Sequence, residues 1–166
     1  MEDLEQHILA TCTPEILPKI WFRYVDDVFE IVRKDQVDNL TEHFNNAVET
    51  GNIKFTVEVE SEGKLPMLDV MMERTGEGRL KTTVYRKKTH TDRYLNFQSN
   101  HPLNHKAAVV RTLLDRKYNI VSTTCDRKAE EKHIKQALKQ NKYPLWLLKK
   151  VDKDMKIKNQ DKNRKK

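Results

Sequence analysis

Two adjacent carboxylates, Asp26 and Asp27, interrupt an otherwise apolar, strand-forming run, Trp21-Phe22-Arg23-Tyr24-Val25-Asp26-Asp27-Val28-Phe29-Glu30-Ile31-Val32. The β-branched and aromatic flanks predict a β-hairpin with Asp26-Asp27 at its tip. Two-residue hairpin turns favour Asn-Gly, Asp-Gly or Gly-Gly, because one or both central residues take positive φ. Asp-Asp puts two like charges side by side and supplies no glycine. A local rule broken at a tip points to a site. The chemistry that suits it is divalent-metal binding, in which Mg²⁺ takes oxygen ligands and neutralises the repulsion. A solvated acidic turn is the plain alternative.

The charge along the chain is divided in the same sense. Residues 1–85 carry 9 Lys/Arg against 17 Asp/Glu, a net −8. Residues 86–148 carry 14 against 5, a net +9, and residues 149–166 carry 9 against 3, a net +6. An acidic half followed by a basic half fits metal ligation in the first and polyanion contact in the second, although ordinary surface charge would give the same count. With 37% hydrophobic and 34% charged residues over 166 positions, one domain of modest core with an appended tail is expected. Cys12 and Cys125 are far apart and suggest a reduced compartment. No run is apolar enough for a membrane span or a signal-peptide core, so the expected location is intracellular, nuclear or cytoplasmic, without secretion or membrane partners.

Helical spacing of Leu4, Ile8 and Leu9 predicts a first helix that Pro14 and Pro18 end. A clearer one follows the hairpin, with Val37, Leu40, Phe44, Ala47 and Val48 on one face, Asp35 as its cap and Gly51 at its C-terminus. Ile53, Phe55, Val57 and Val59 then alternate with polar residues, which predicts a half-buried strand. Two further strands, Leu65–Met72 and Leu80–Tyr85, complete an expected antiparallel meander, with Asp69 as a local hydrogen-bonding or edge residue. Beyond Arg86 the pattern predicts three helices: roughly Asn104–Tyr118, Arg127–Gln140 capped by Asp126, and one opening at Pro144. The last two, across Asn141-Lys142-Tyr143-Pro144, have helix-turn-helix shape. The lysine-rich end has too little apolar content to fold alone. His101, His105, Cys125 and His133 do not have zinc-ligand spacing.

The ordered set Trp21-Phe22-Arg23-Tyr24-Val25-Asp26-Asp27-Val28-Phe29, Lys54-Phe55-Thr56-Val57-Glu58, Leu65-Pro66-Met67-Leu68-Asp69-Val70, Val84-Tyr85-Arg86-Lys87-Lys88-Thr89-His90-Thr91-Asp92-Arg93-Tyr94-Leu95, Ser99-Asn100-His101-Pro102 and His105-Lys106 resembles the back half of Penelope-like retroelement reverse transcriptases. The likeness spans about Met1 to Val151.

It implies an α+β fold: a partial palm over residues 1–97, a helical thumb-like or helix-turn-helix region over 98–151, and a disordered basic tail over 152–166. It also implies RNA-directed DNA synthesis, in which two Mg²⁺ ions roughly 3.5–4 Å apart activate the primer hydroxyl and steady the leaving group. Asp26 and Asp27 would be the catalytic and metal-binding residues of this hairpin. Lys87, Lys88, Arg93, Lys106 and Arg111 would hold the phosphates of an RNA/DNA template-primer duplex. The family's second metal-ligand Asp and its fingers have no counterpart here. The resemblance therefore implies a truncated enzyme, inactive alone, of open oligomeric state. The alternative is a non-catalytic helix-turn-helix nucleic-acid-binding protein derived from such an element.

Overall fold

The computed structural model describes residues 2–47 and 53–164. The chain is α+β and divides into two compact units, Met1–Ser61 and Glu62–Lys166. That division falls well before residue 97, so the stretch expected as one palm belongs to both units.

The first unit contains α1 (Glu2–Thr11), a hairpin of β1 (Ile20–Tyr24) and β2 (Asp27–Ile31), a 3₁₀ turn over Lys34–Gln36, and α2 (Val37–Asn46). The apolar stripes predicted for the two helices meet in its core: Ile8, Leu40 and Phe44 are buried, with Leu4, Leu9, Trp21, Val32 and Phe55 around them. Phe44 organises this core. Trp21 stacks on it at 4.9 Å between ring centroids, and Phe55 meets it edge-on at 5.1 Å.

Three details depart from expectation. Tyr24 pairs with Asp27, so the two turn residues are Val25 and Asp26, and Asp27 is the first residue of β2. Asp35 does not cap α2; its carboxylate takes two hydrogen bonds from Arg33 at 2.9 and 3.3 Å. The expected cap at Gly51, and Val48 on the helix face, lie outside the described residues. Residues 53–60 form no strand despite their alternation, and Ile53, Val57 and Val59 are exposed. Alternation chooses a face, but a ladder needs a neighbouring backbone. Phe55 instead has its N–H and C=O engaged by the Asn45 side-chain amide, at 2.7 and 3.1 Å.

The second unit opens with a three-stranded antiparallel sheet, β3 (Lys64–Met67), β4 (Val70–Arg74) and β5 (Leu80–Val84), in that order. The strand predicted over Leu65–Met72 is thus a hairpin. Met67 pairs with Val70 across Leu68-Asp69, and Leu68 takes a φ of +51°. Asp69 sits in the turn, where its C=O accepts from Tyr85 N–H at 2.8 Å and its carboxylate meets Arg116 at 2.8 Å.

Three helices follow: α3 (Leu103–Asn119), α4 (Thr124–Gln140) and α5 (Leu145–Arg164). Val110, Leu113, Leu114, Ile134, Leu138, Leu147, Leu148 and Val151 form their buried core. Thr123, not Asp126, caps α4. Its Oγ accepts from Asp126 N–H at 3.2 Å, an ordinary N-cap bond, while its O–H donates to the Asp126 carboxylate. α5 begins one residue after Pro144 and continues past residue 151. Met155 packs against the core, and Asp152 accepts from Tyr118 Oη at 2.6 Å. The sheet is stitched to the α3–α4 turn through Thr82, which donates from Oγ to Ile120 C=O at 2.5 Å and from N–H to Ser122 Oγ at 3.0 Å.

Candidate nucleic-acid interface

The Asp26-Asp27 tip forms as a tight hairpin with positive φ at one central residue. That residue is Val25, at +55°. Positive φ at the first central position is the pattern of a type II′ turn, where glycine is usual. A β-branched residue there is an outlier. Strand alternation puts Asp27 on the face of its partner Tyr24, while Asp26 borders a cleft walled by Glu5, Trp21, Arg23, Phe44 and Phe55.

Glu5, the other acid of that cleft, is engaged. Its carboxylate accepts from Trp21 Nε1 and from Arg23 Nε, the latter at 2.6 Å. Burial pushes the Glu5 carboxyl up, and these two hydrogen bonds outweigh it, leaving the group below its ordinary value. Among the described residues, no three His, Cys, Asp or Glu side chains converge as metal ligands. One hairpin whose two carboxylates serve different faces does not fit the Mg²⁺ pair that the motif implies.

The second unit concentrates cations instead. Of the five phosphate-binding candidates, Lys87, Lys88, Arg93 and Arg111 are exposed. They lie on three elements: the turn after β5, the connector to α3, and α3 itself. Lys106 is half-buried; its ammonium donates to Ser99 C=O at 2.6 Å and lies 5.1 Å over the Phe97 ring.

The helix-turn-helix provides a denser set. Leu147, Leu148, Val151 and Met155 face the core of the bundle. Helical spacing puts Trp146, Lys149, Lys150, Lys153 and Ile157 on the opposite, exposed side. Lys139 at the end of α4 and Lys142 in the turn are exposed as well. Lys135 and Lys156, by contrast, are paired at 2.7 Å with Glu131 and Asp152. Lys139, Lys142, Lys149, Lys150 and Lys153 have no carboxylate partner among the described residues.

The turn that presents this face is held rigidly. Asn141 is buried; its Oδ1 accepts from Tyr94 N–H at 3.0 Å, and its Nδ2 donates to Asp92 C=O at 2.7 Å and Ala137 C=O at 2.8 Å. Asn141 C=O accepts from Phe97 N–H at 3.0 Å, and the Phe97 and Tyr143 rings lie 5.5 Å apart.

Beside it, Asp92 Oδ1 accepts from His90 Nε2 at 2.9 Å, His133 Nε2 at 3.0 Å and Tyr94 Oη at 3.3 Å. Arg86 makes a bidentate pair with Glu130 at 2.9 and 2.5 Å. This polar cluster is not legible in the sequence. Its members are far apart in the chain, and an Arg, an Asp and two His in a basic stretch read as surface residues.

Residues 93–152 match the family model of the animal helix-turn-helix domain. The match begins at the connector and takes in α3, α4 and the first turns of α5. No curated protein and no solved structure matches the chain. Nothing in these comparisons supports a reverse transcriptase.

Proposed function

We propose that the helix-turn-helix region binds nucleic acid, with α5 laid along the phosphate backbone. The observation that carries this is the row Lys149, Lys150 and Lys153 on the second helix of the turn, exposed and without carboxylate partners among the described residues; the first two lie within the stretch that matches a helix-turn-helix family, and Lys153 directly follows it. Unpaired lysines on a rigid helix meet phosphate without first breaking an ion pair, and neutralising phosphates releases counterions from the duplex. Lys139 and Lys142 extend the row. Lys87, Lys88, Arg93 and Arg111 are further phosphate contacts within this proposal.

Fluorescence anisotropy with a labelled duplex and the full chain tests it. Affinity should fall steeply with salt, with a log–log slope of roughly −4.5 if five phosphates of a DNA duplex are contacted. Lys149→Glu with Lys153→Glu should weaken binding far more than Lys19→Glu with Lys54→Glu, an equal charge change in the first unit. Absence of binding at low salt would falsify the proposal.

A second reading rests on the hairpin. A β-branched residue at positive φ beside two carboxylates is a local rule broken at a tip, and the Tyr24-Val25-Asp26-Asp27 motif resembles a reverse-transcriptase palm. Under this reading the chain is part of a retroelement polymerase. Its support is the turn geometry and the motif, and among the described residues no third ligand joins Asp26 and Asp27. Primer extension on an RNA template with Mg²⁺ tests it. Template-directed incorporation that Asp26→Ala abolishes would support it, and no incorporation at any Mg²⁺ concentration would retire polymerisation by this chain.

A further inference from the structure

The outer face of α5 carries one group that duplex phosphate binding does not use. Trp146, in the first turn, is 52% exposed and follows Leu145, which is 62% exposed. Among the described residues the indole makes no ring contact and its Nε1 has no hydrogen-bond partner. Lys142 precedes it in the turn, and Lys149 and Lys150 lie one helical turn further on, at the i+3 and i+4 positions that share its face.

We propose that this face recognises a nucleic-acid strand carrying an unpaired base, with Trp146 stacked on the base and Lys142, Lys149 and Lys150 on the flanking phosphates. The proposal rests on the nucleic-acid reading above and names its substrate class.

The chemistry distinguishes this target from an intact duplex. In a duplex the grooves offer base edges, namely hydrogen-bond donors, acceptors and a thymine methyl, while the π-faces are consumed by stacking. An indole has a large π-face and a single donor, so most of its surface finds no complement there. An unpaired base offers a π-face, and an aromatic side chain amid cations is the pairing that single strands use.

The surroundings narrow the choice further. Lysines of one sign on both sides of the ring call for a polyanion that also carries flat apolar surface, which describes a nucleic-acid end or gap. Position also favours stacking. The turn before Trp146 is fixed by buried Asn141, by the Phe97–Tyr143 ring contact, and by Tyr143 N–H donating to Leu138 C=O at 2.9 Å. The indole is therefore carried on a rigid helix start, and little backbone freedom is lost when it meets a base.

The test compares the full chain on three labelled probes, each made as DNA and as RNA: a blunt duplex, the same duplex with a short single-stranded overhang, and the single strand alone. The overhang probe should bind about tenfold more tightly than the blunt one. Trp146→Ala should collapse that ratio to near one, while Trp146→Phe, which keeps a π-face, should retain most of it. Unchanged thermal unfolding of both variants would show that the bundle is intact.

Equal affinity for blunt and overhang probes, or a preference that survives Trp146→Ala, would overturn this proposal and leave the duplex reading standing. No binding to any probe at low salt would overturn both.

Discussion

The side-chain amide of Asn141 donates a hydrogen bond to the main-chain carbonyl of Asp92 at 2.7 Å, joining the turn between α4 and α5 to a connector 49 residues earlier. The same side chain also accepts from Tyr94 N–H and donates to Ala137 C=O. One buried amide thus uses both of its ends on backbone groups that have little access to water. It fixes where the helix-turn-helix begins relative to the strap leading into it.

Replacing Asn141 with Ala should destabilise the second unit by about 2–4 kcal/mol, because three hydrogen bonds go and buried backbone groups are left without partners. Asn141→Asp should also be costly, since a carboxylate cannot donate to the Asp92 or Ala137 carbonyls. Urea unfolding followed by circular dichroism of the helices measures both. A loss below about 0.5 kcal/mol for Asn141→Ala would show that water replaces the amide at this turn.

Arg86 and Glu130 form the most buried ion pair of the bundle's polar cluster, with side chains 20% and 10% exposed. Burial pulls the Arg86 guanidinium down, and the Glu130 hydrogen bonds and charge more than restore it. Glu130→Ala should cost about 2–3 kcal/mol, because the largely buried guanidinium is left with Asp92, 4.0 Å from its Nε, as its carboxylate partner. Arg86→Met with Glu130→Leu should cost far less than the sum of the singles, since an apolar pair strands no charge. A double-mutant cycle checks this, and additive losses would refute the coupling.

The legibility of the fold tracks the range of the interactions involved. The helical stripes of α2, α3 and α4, the hairpin, and the helix-turn-helix shape were readable because each depends on residues three, four or two positions apart. Boundaries set by one backbone angle were not: Leu65–Met72 has the composition of a strand, and only the positive φ at Leu68 reveals a hairpin. Residues 53–60 failed for the opposite reason, having the pattern of a strand without a ladder partner among the described residues.

At the candidate site, the lysines of the turn and α5 could be counted in advance. Which of them lack a carboxylate partner is a tertiary fact. Lys106 reaches Ser99 C=O and the Phe97 ring, and the Asp92 hub joins His90 and His133, 43 residues apart in the chain.

Val25 should be replaceable with profit. At φ +55° its branched side chain is strained, whereas glycine reaches that region freely. Val25→Gly should stabilise the hairpin by about 0.5–1 kcal/mol, because Val25 is 65% exposed and contributes little packing there. Slower amide exchange across β1 and β2 is the expected readout. Destabilisation would mean that Val25 makes contacts worth more than its strain.

Stability of the second unit should fall on the acid side, with Asp92 contributing. Burial raises the Asp92 carboxyl, and hydrogen bonds from His133 and His90, with their charges, outweigh that and hold it below the ordinary carboxylate value. A carboxylate whose pKa is lower folded than unfolded contributes stability that is present above the unfolded value, about 3.9, and is lost as pH falls through the folded one. Glu131 is lowered in the same sense, first by its hydrogen bond from Lys135 and then by Lys117 against the opposing effect of burial. Asp92→Asn should therefore cost about 1–3 kcal/mol at neutral pH, where it removes the ionised acceptor from two imidazoles and a tyrosine. The gap between wild type and variant should close as pH falls through the folded Asp92 value, below the ordinary carboxylate range, because the wild-type carboxylate then also loses its charge. Urea midpoints for both proteins across that range provide the check, and a gap that stays constant with pH would show that the Asp92 hydrogen bonds do not depend on its ionisation.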